Sequence, residues 1–224
     1  MLKKFLLMAI SLLMLVLMAG CGNKVETPAE TPPETPPENS AEVTEQPPAE
    51  PSKILVAYFS RPGDNYEVGV IAKGNTEIVA EMIKDKTGAD LFEIVPVNPY
   101  PEDYRACTEV AKQEQTENLR PAIVSLVENI DQYDTIFLGY PIWWSDFPMV
   151  VYNFLENQPN LSGKTIIPFC TAAGDYMTGK EANIPEISHG ATIREGIGIK
   201  GKRCQDEPEQ VREQVNAWLT GLGY

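Results

Sequence analysis

Three short stretches bring together residue types suited to holding a phosphorylated ligand with a flat ring. The first is split. Ser60 closes the apolar run Ile54-Leu-Val-Ala-Tyr-Phe-Ser60, and Gly74-Asn75-Thr76 opens a helical pattern after an interruption. Hydroxyl and amide groups beside a helix start suit an anion bound by unpaired backbone N–H groups rather than by lysines, with Thr76 expected as the helix cap. The second stretch, Tyr140-Pro141-Ile142-Trp143-Trp144-Ser145-Asp146, places two adjacent indoles after another apolar run. Indoles offer broad apolar planes to a ring system, and neighbouring residues do not easily both turn inward, so at least one is expected to face a ligand. The third, Thr171-Ala172-Ala-Gly174-Asp-Tyr176, is a glycine-bearing loop.

Other chemistries find little support. The single histidine, His189, lies in Ile187-Ser-His-Gly190, which has the composition of an exposed turn, so a Ser-His or Cys-His pair is not expected. Cys107, Cys170 and Cys204 show no C-x-x-C spacing and signal neither a metal site nor a disulfide framework. One disulfide among them stays open.

Each of these stretches must be held at the end of a strand. Ile54–Ser60, Leu91–Pro96, Thr135–Tyr140, Lys164–Thr171 and a weaker Thr192–Ile199 are short apolar runs rich in strand formers. Between them lie helical patterns. Ile78, Val79, Met82 and Ile83 recur at helical spacing and Gly88 ends that helix; Tyr104 to about Leu119, Pro121–Val127, a run from Met149, and Pro208–Leu222 supply the rest. Strand and helix alternating over five cycles indicate an α/β fold, a parallel sheet with helices on both faces. Such sheets bind ligands outside the carboxyl ends of their strands, where the three stretches fall. Gly196-Ile-Gly-Ile-Lys-Gly201 matches G-x-G-x-x-G, but it sits within or at the end of the last strand with one helix of chain left, so it is taken as chance.

A phosphate-binding turn, an aromatic wall and a glycine-bearing third loop together point to flavin mononucleotide, FMN. Residues 53–222 resemble the flavodoxins through A-Y-F-S, G-N-T, G-Y-P-x-W-W and P-F-C-T, which occur here in the same order. The resemblance implies a flavodoxin-like, five-stranded parallel sheet of order 2-1-3-4-5. It also implies that Ser60, Gly74, Asn75 and Thr76 hold the phosphate, Pro141, Ile142, Trp143 and Trp144 flank the ring, and Thr171, Ala172 and Gly174 cover its pyrimidine edge. Two departures stand out. Residues 61–73 separate Ser60 from Gly-Asn-Thr, and within them Arg61 is expected to donate to the phosphate while Asn65 or Tyr66 closes over it. The loop after the third strand lacks the glycine that many electron-carrying flavodoxins use there, which leaves one- or two-electron chemistry open.

The N-terminus reads as an address rather than as fold. Lys3 and Lys4 precede an apolar run from Phe5 to Met18, and Met18-Ala-Gly-Cys21 resembles a bacterial lipobox, implying a signal peptide over residues 1–20 and lipidation of Cys21. Residues 21–52 are rich in Pro, Glu and Thr and should remain an extended tether ahead of a domain spanning 53–224. The chain carries a formal charge of −14, and no basic stripe is present to neutralise phosphates, which argues against nucleic acid. The expected setting is extracytoplasmic, anchored to the membrane by lipid. There the domain is read as an electron carrier for a redox partner protein, or as an oxidoreductase acting on a quinone or similar small acceptor. A flavodoxin-fold binding module without redox activity is the alternative.

Overall fold

The computed structural model describes residues 53–224, so the expected signal peptide, Cys21 and the expected tether lie outside the described residues. β1 (Lys53–Tyr58) is followed by two short strands, β2 (Gly63–Asn65) and β3 (Gly69–Ile71), and by α1 (Asn75–Thr87). Next come β4 (Asp90–Glu93), α2 (Tyr104–Thr116), β5 (Tyr133–Pro141), α3 (Met149–Asn157) and β6 (Thr165–Ala172). The chain closes with α4 (Ile184–Ile187), β7 (Thr192–Ile193), β8 (Ile197–Lys200), α5 (Gly201–Asp206) and α6 (Pro208–Leu222). The main sheet runs β4-β1-β5-β6-β7, all pairs parallel, which is the expected 2-1-3-4-5 order.

Period-two alternation divides the core. Leu55, Ala57 and Phe59 of the first run, with Ile136, Leu138 and Tyr140 of β5, face the layer containing α3, where Val150, Val151 and Phe154 are buried. Val56 and Tyr58, with Phe137, Ile167 and Phe169, face α1 and α6 through Val79, Ile83, Val211, Val215 and Leu219. Strands buried on both faces read as unbroken apolar runs, which is why they were recognisable in the sequence.

Several elements depart from expectation. The fifth strand is two pieces, both on the β6 edge: Ile166 is opposite Ile193 but Phe169 is opposite Ile197, so one extra residue is accommodated alongside Ile167 and Pro168. Pro168 has no N–H to donate, and a gap in the ladder there costs little. Pro121–Val127 is not helical. Ile123 bridges Pro96 antiparallel, and Val124 N–H donates to Val95 O (2.8 Å), so the segment covers the exposed edge beyond β4. Residues 61–73, for which no secondary structure was expected, contain the β2–β3 hairpin. Cys107, Cys170 and Cys204 are all buried and free.

Candidate functional site

The carboxyl ends of β1, β5 and β6 open into one cavity of about 370 Å³, within the range of small-ligand sites. Its phosphate-type corner is built across a chain gap. Ser60 Oγ accepts the N–H of Glu77 at 3.0 Å, so the third residue of α1 is capped by a side chain from the preceding strand end. Ile78 N–H reaches Gly74 O at 3.3 Å. The N–H groups of Asn75 and Thr76, the first two of the helix, have no acceptor among the described residues and sit at the positive end of the helix dipole. Gly74 makes this approach feasible: a Cβ there would lie 2.2 Å from Ser60 Oγ and 2.9 Å from the Arg61 backbone.

Thr76 is therefore not the cap expected from the sequence. It is the second helical residue, 1% exposed, and its hydroxyl shares a 2.8 Å hydrogen bond with that of Thr171. That bond joins the first loop to the third. Asn75 is oriented from α5, where Gln205 Nε2 donates to Asn75 Oδ1 at 2.8 Å, leaving the Asn75 amide nitrogen beside Gly201. A side chain on Gly201 would stand 2.7 Å from that nitrogen, so the last glycine of Gly196–Gly201, dismissed in the sequence as chance, serves a close approach at the cavity wall.

The two indoles take different positions. Trp143 turns inward and meets Phe59 and Tyr100 edge-on, with ring centroids 5.4 and 4.9 Å away. Trp144 is half exposed and stands at the cavity rim. The turn between Trp143 and Asp146 is closed by two backbone bonds of 2.8 and 3.0 Å, with Trp144 (φ 51°) and Ser145 (φ 62°) both left-handed. That sign pattern belongs to a type I′ turn and ordinarily favours Asn-Gly, so holding Trp-Ser in it requires outside support. Helix α2 provides it: Trp144 Nε1 donates to Thr108 O (3.0 Å), Gln115 Nε2 donates to Trp144 O (3.2 Å), and Lys112 Nζ lies 4.9 Å over the indole.

In the third loop, Asp175 accepts from Lys200 N (2.6 Å) and pairs with Arg203 (3.2 Å). Tyr140 OH donates to the buried Glu181 at 3.2 Å, and the Thr178 hydroxyl reaches the same oxygen. Burial, then the Glu181 charge, pushes the Tyr140 phenol well above its usual range, so it remains a neutral donor.

A family model described as flavodoxin matches residues 53–218. The chain belongs to the flavodoxin family. No curated protein matches it. Among solved structures this flavodoxin resembles a protein assigned as a flavoprotein from Bacteroides eggerthii at 31% identity, covering 77% of this chain and 99% of that one with a TM-score of 0.57. A second such protein, from Bacteroides uniformis, is 27% identical over 75% of this chain and 98% of that one, TM-score 0.58. A Lactobacillus acidophilus flavoprotein, solved with FMN bound, shares the fold at 20% identity, covering 69% and 97% of the two chains with a TM-score of 0.52.

Of the residues singled out in the sequence, Ser60, Arg61, Asn65, Tyr66, Asn75, Thr76, Pro141, Ile142, Trp143, Trp144, Thr171 and Ala172 line the flavodoxin cavity. Gly74 and Gly174 do not: the first lies behind Ser60 and the second packs against Tyr176, whose ring takes the place in the wall. Arg61 lines the cavity, but its guanidinium serves the fold. It donates to the carbonyls of Pro101 (2.9 Å), Glu102 (3.0 Å) and Asp64, docking the β2–β3 hairpin on the approach to α2. Sequence reasoning missed the wall contributed by α2, namely Tyr104, Cys107, Thr108 and Ala111. Their i, i+3, i+4, i+7 spacing was present, but polar neighbours on the same helix obscured the stripe.

Proposed function

We propose that this flavodoxin domain binds FMN and passes electrons through it to a redox partner protein or a small acceptor, while tethered by a lipidated Cys21 outside the cytoplasmic membrane. One observation carries the FMN reading: two unclaimed N–H groups at the start of α1 open into the same cavity as Trp143, Trp144 and Tyr176. A phosphate at those N–H groups places the attached ring system toward the aromatic end. The Lactobacillus acidophilus neighbour, which holds FMN in the same fold, supports the reading. Asn75 Nδ2 and Ser60 complete a neutral phosphate cradle, with Asn65 and Tyr66 of the hairpin beside it. The ring lies between Pro141–Trp144 on one side and Thr171 and Ala172 on the other.

Bound FMN supplies one- and two-electron redox chemistry. The protein's part is to bind, orient and tune. Among the described residues Arg61 is the one ionic residue of the cavity lining, its guanidinium is taken up by three backbone carbonyls, and the chain as a whole is strongly acidic. That overall negative charge disfavours further negative charge on the ring, which lowers its reduction potential and suits a low-potential donor. The anchored location rests on the run from Lys3 to Cys21 and on the Pro-Glu-Thr tether after it.

The test is the absorption spectrum of the full chain, solubilised in detergent, as FMN is added and then reduced stepwise without oxygen. Saturable uptake of one FMN, with a potential below that of free FMN, is expected. A chain that stays colourless overturns the reading. For the anchor, Cys21→Ser should release the protein from the membrane fraction, and unchanged fractionation would refute lipid attachment.

A further inference from the structure

We propose that the groove between α1 and the carboxyl ends of β1 and β4 binds a hydrated divalent cation of the Mg²⁺ or Ca²⁺ class, held by the carboxylates of Glu77 and Glu93, with the Tyr58 hydroxyl bonded to a coordinated water. The site lies on the α1 face of the sheet. None of its side chains lines the cavity assigned to FMN, and the inference does not depend on that assignment.

Strand register brings the parts together. Tyr58 and Glu93 are direct partners on neighbouring parallel strands, so their side chains leave the sheet on one face. That face is the α1 side, because Tyr58 shares a buried cluster with Val79, Ala80 and Ile83, and Leu91, two residues before Glu93, packs against the same cluster. Glu77 and Glu81 stand one turn apart on α1, flanking its buried stripe. Three carboxylates therefore gather around the outer end of one phenol.

The phenol itself points to a missing ligand. Tyr58 is 6% exposed, and its hydroxyl has no hydrogen-bond partner among the described residues. A phenol buried to that extent ordinarily has one. Burial, followed by the charges of Glu93, Glu77 and Glu81, pushes its pKa up to about 12, so it is a neutral group close to the carboxylates but bonded to none of them. Glu81 is already engaged, since Lys73 Nζ holds its two oxygens at 2.6 and 2.8 Å. Glu77 and Glu93 form no ion pair among the described residues, and burial and then the Glu77 charge raise the Glu93 pKa. Two unpaired like charges beside an unpartnered hydroxyl call for a counter-ion.

The ligand count selects a hydrated ion. Among the described residues no three His, Cys, Asp or Glu side chains converge into a metal cage, so water must complete the shell. Mg²⁺ keeps several waters and is held through one or two carboxylates, and Ca²⁺ takes water into a flexible oxygen shell. A coordinated water donates to the Tyr58 oxygen and supplies the bond it lacks.

Terbium luminescence of the full chain in detergent, without FMN, tests the site, because Tb³⁺ substitutes for Ca²⁺ and its emission is sensitised by a tyrosine close to the ion. Binding should saturate, and Ca²⁺ and Mg²⁺ should each displace Tb³⁺. Glu77→Gln and Glu93→Gln should each weaken binding about tenfold or more, since affinity follows the charge of the ligands. Tyr58→Phe should remove most of the sensitised emission while Ca²⁺ affinity, measured by calorimetry, falls only several-fold. Ca²⁺ should raise the melting temperature of the wild type and leave that of Glu93→Gln unmoved. Glu209→Gln, at the exposed start of α6, should match the wild type throughout. Emission indifferent to both Glu77→Gln and Glu93→Gln assigns the ions to other carboxylates, such as those of residues 21–52, and overturns the site. Emission retained in Tyr58→Phe does the same, as does Tb³⁺ that neither Ca²⁺ nor Mg²⁺ displaces.

Discussion

Ser60 caps helix α1 from a distance of seventeen residues in the chain, its Oγ accepting the Glu77 N–H at 3.0 Å. The bond closes the break that the hairpin insertion introduces and leaves the two N–H groups ahead of it free for an anion. Ser60→Ala should therefore act twice. Removing a cap of this kind costs about 0.5–2 kcal/mol of stability, and the helix start is left less ordered for phosphate. Denaturant midpoints and FMN titration should both fall. A stability loss with FMN affinity intact would separate Ser60 from the phosphate corner.

The buried hydroxyl pair makes a sharper case. Thr76 and Thr171 are 1% and 4% exposed and share one hydrogen bond. Thr76→Val leaves the Thr171 hydroxyl buried without its partner, at a cost of about 1–3 kcal/mol. Thr171→Val does the reverse. The double variant replaces both by groups of similar shape and should recover most of the stability, a coupling that thermal melts of the four proteins would measure. FMN affinity should not recover in the double variant, because the bond between the first and third loops is still absent.

The strand order and the three loops were legible in the sequence because doubly buried strands are unbroken apolar runs, and Ile54–Phe59, Thr135–Tyr140 and Thr165–Cys170 are such runs. What escaped was placement by partners distant in the chain. Thr76 looked like a cap because its own hydroxyl stands near a helix start, and nothing local shows that Ser60 takes that task. Pro121–Val127 has helical spacing, yet the open edge beyond β4 claims its backbone groups. Arg61 beside a phosphate turn suggests a phosphate ligand, but three carbonyls of the hairpin and the approach to α2 reach it first. Gly201 belongs to a motif whose spacing implied nothing, and its purpose is a 2.7 Å approach to Asn75. In each case a tertiary neighbour overrode a sound local preference.

Stability should depend on pH through two glutamates. Burial is the first cause that raises the pKa of Glu114, against the opposing hydrogen bond from Tyr100 OH at 2.8 Å, and burial followed by the Glu77 charge raises that of Glu93. A carboxyl whose folded pKa exceeds its unfolded value binds its proton more tightly when folded. Its contribution is thus fully present below the unfolded pKa and is lost as pH rises through the folded one. Melting temperature should decline over the window just above the ordinary carboxylate range. Glu114→Gln, which keeps an oxygen for Tyr100, should flatten that decline, and an unaltered slope would assign it to other groups.

Buried thiols give a chemical check on the same core. Burial pushes both Cys170 and Cys204 up to about 12, and Cys107 is raised as well, so thiolate is scarce at neutral pH. The native chain should resist a maleimide at pH 7 for hours, with all three labelled within minutes in urea. Mass spectrometry of the digested protein reads each site separately. Fast native labelling at Cys107 alone would show that the α2 wall opens in solution.

The hairpin crosses the cavity mouth with a different attachment at each end. Arg61 and the Asp64 N–H fix its base to the carbonyls of Pro101 and Glu102, while at its turn Glu67 pairs with Lys200 at 3.2 Å on the far side. That ion pair is 39% and 35% exposed, and surface pairs contribute at most about 1 kcal/mol to folding. Lys200→Ala should consequently leave the melting temperature nearly unchanged while raising the FMN dissociation rate several-fold, because only the tip is released. Added salt should do the same to the wild type and little further to the variant. Arg61→Ala frees the base and should raise the rate more, together with a measurable loss of stability. Flavin fluorescence after dilution follows release directly. If dissociation is equal in wild type and both variants, the hairpin is a bystander and the cofactor leaves by another side.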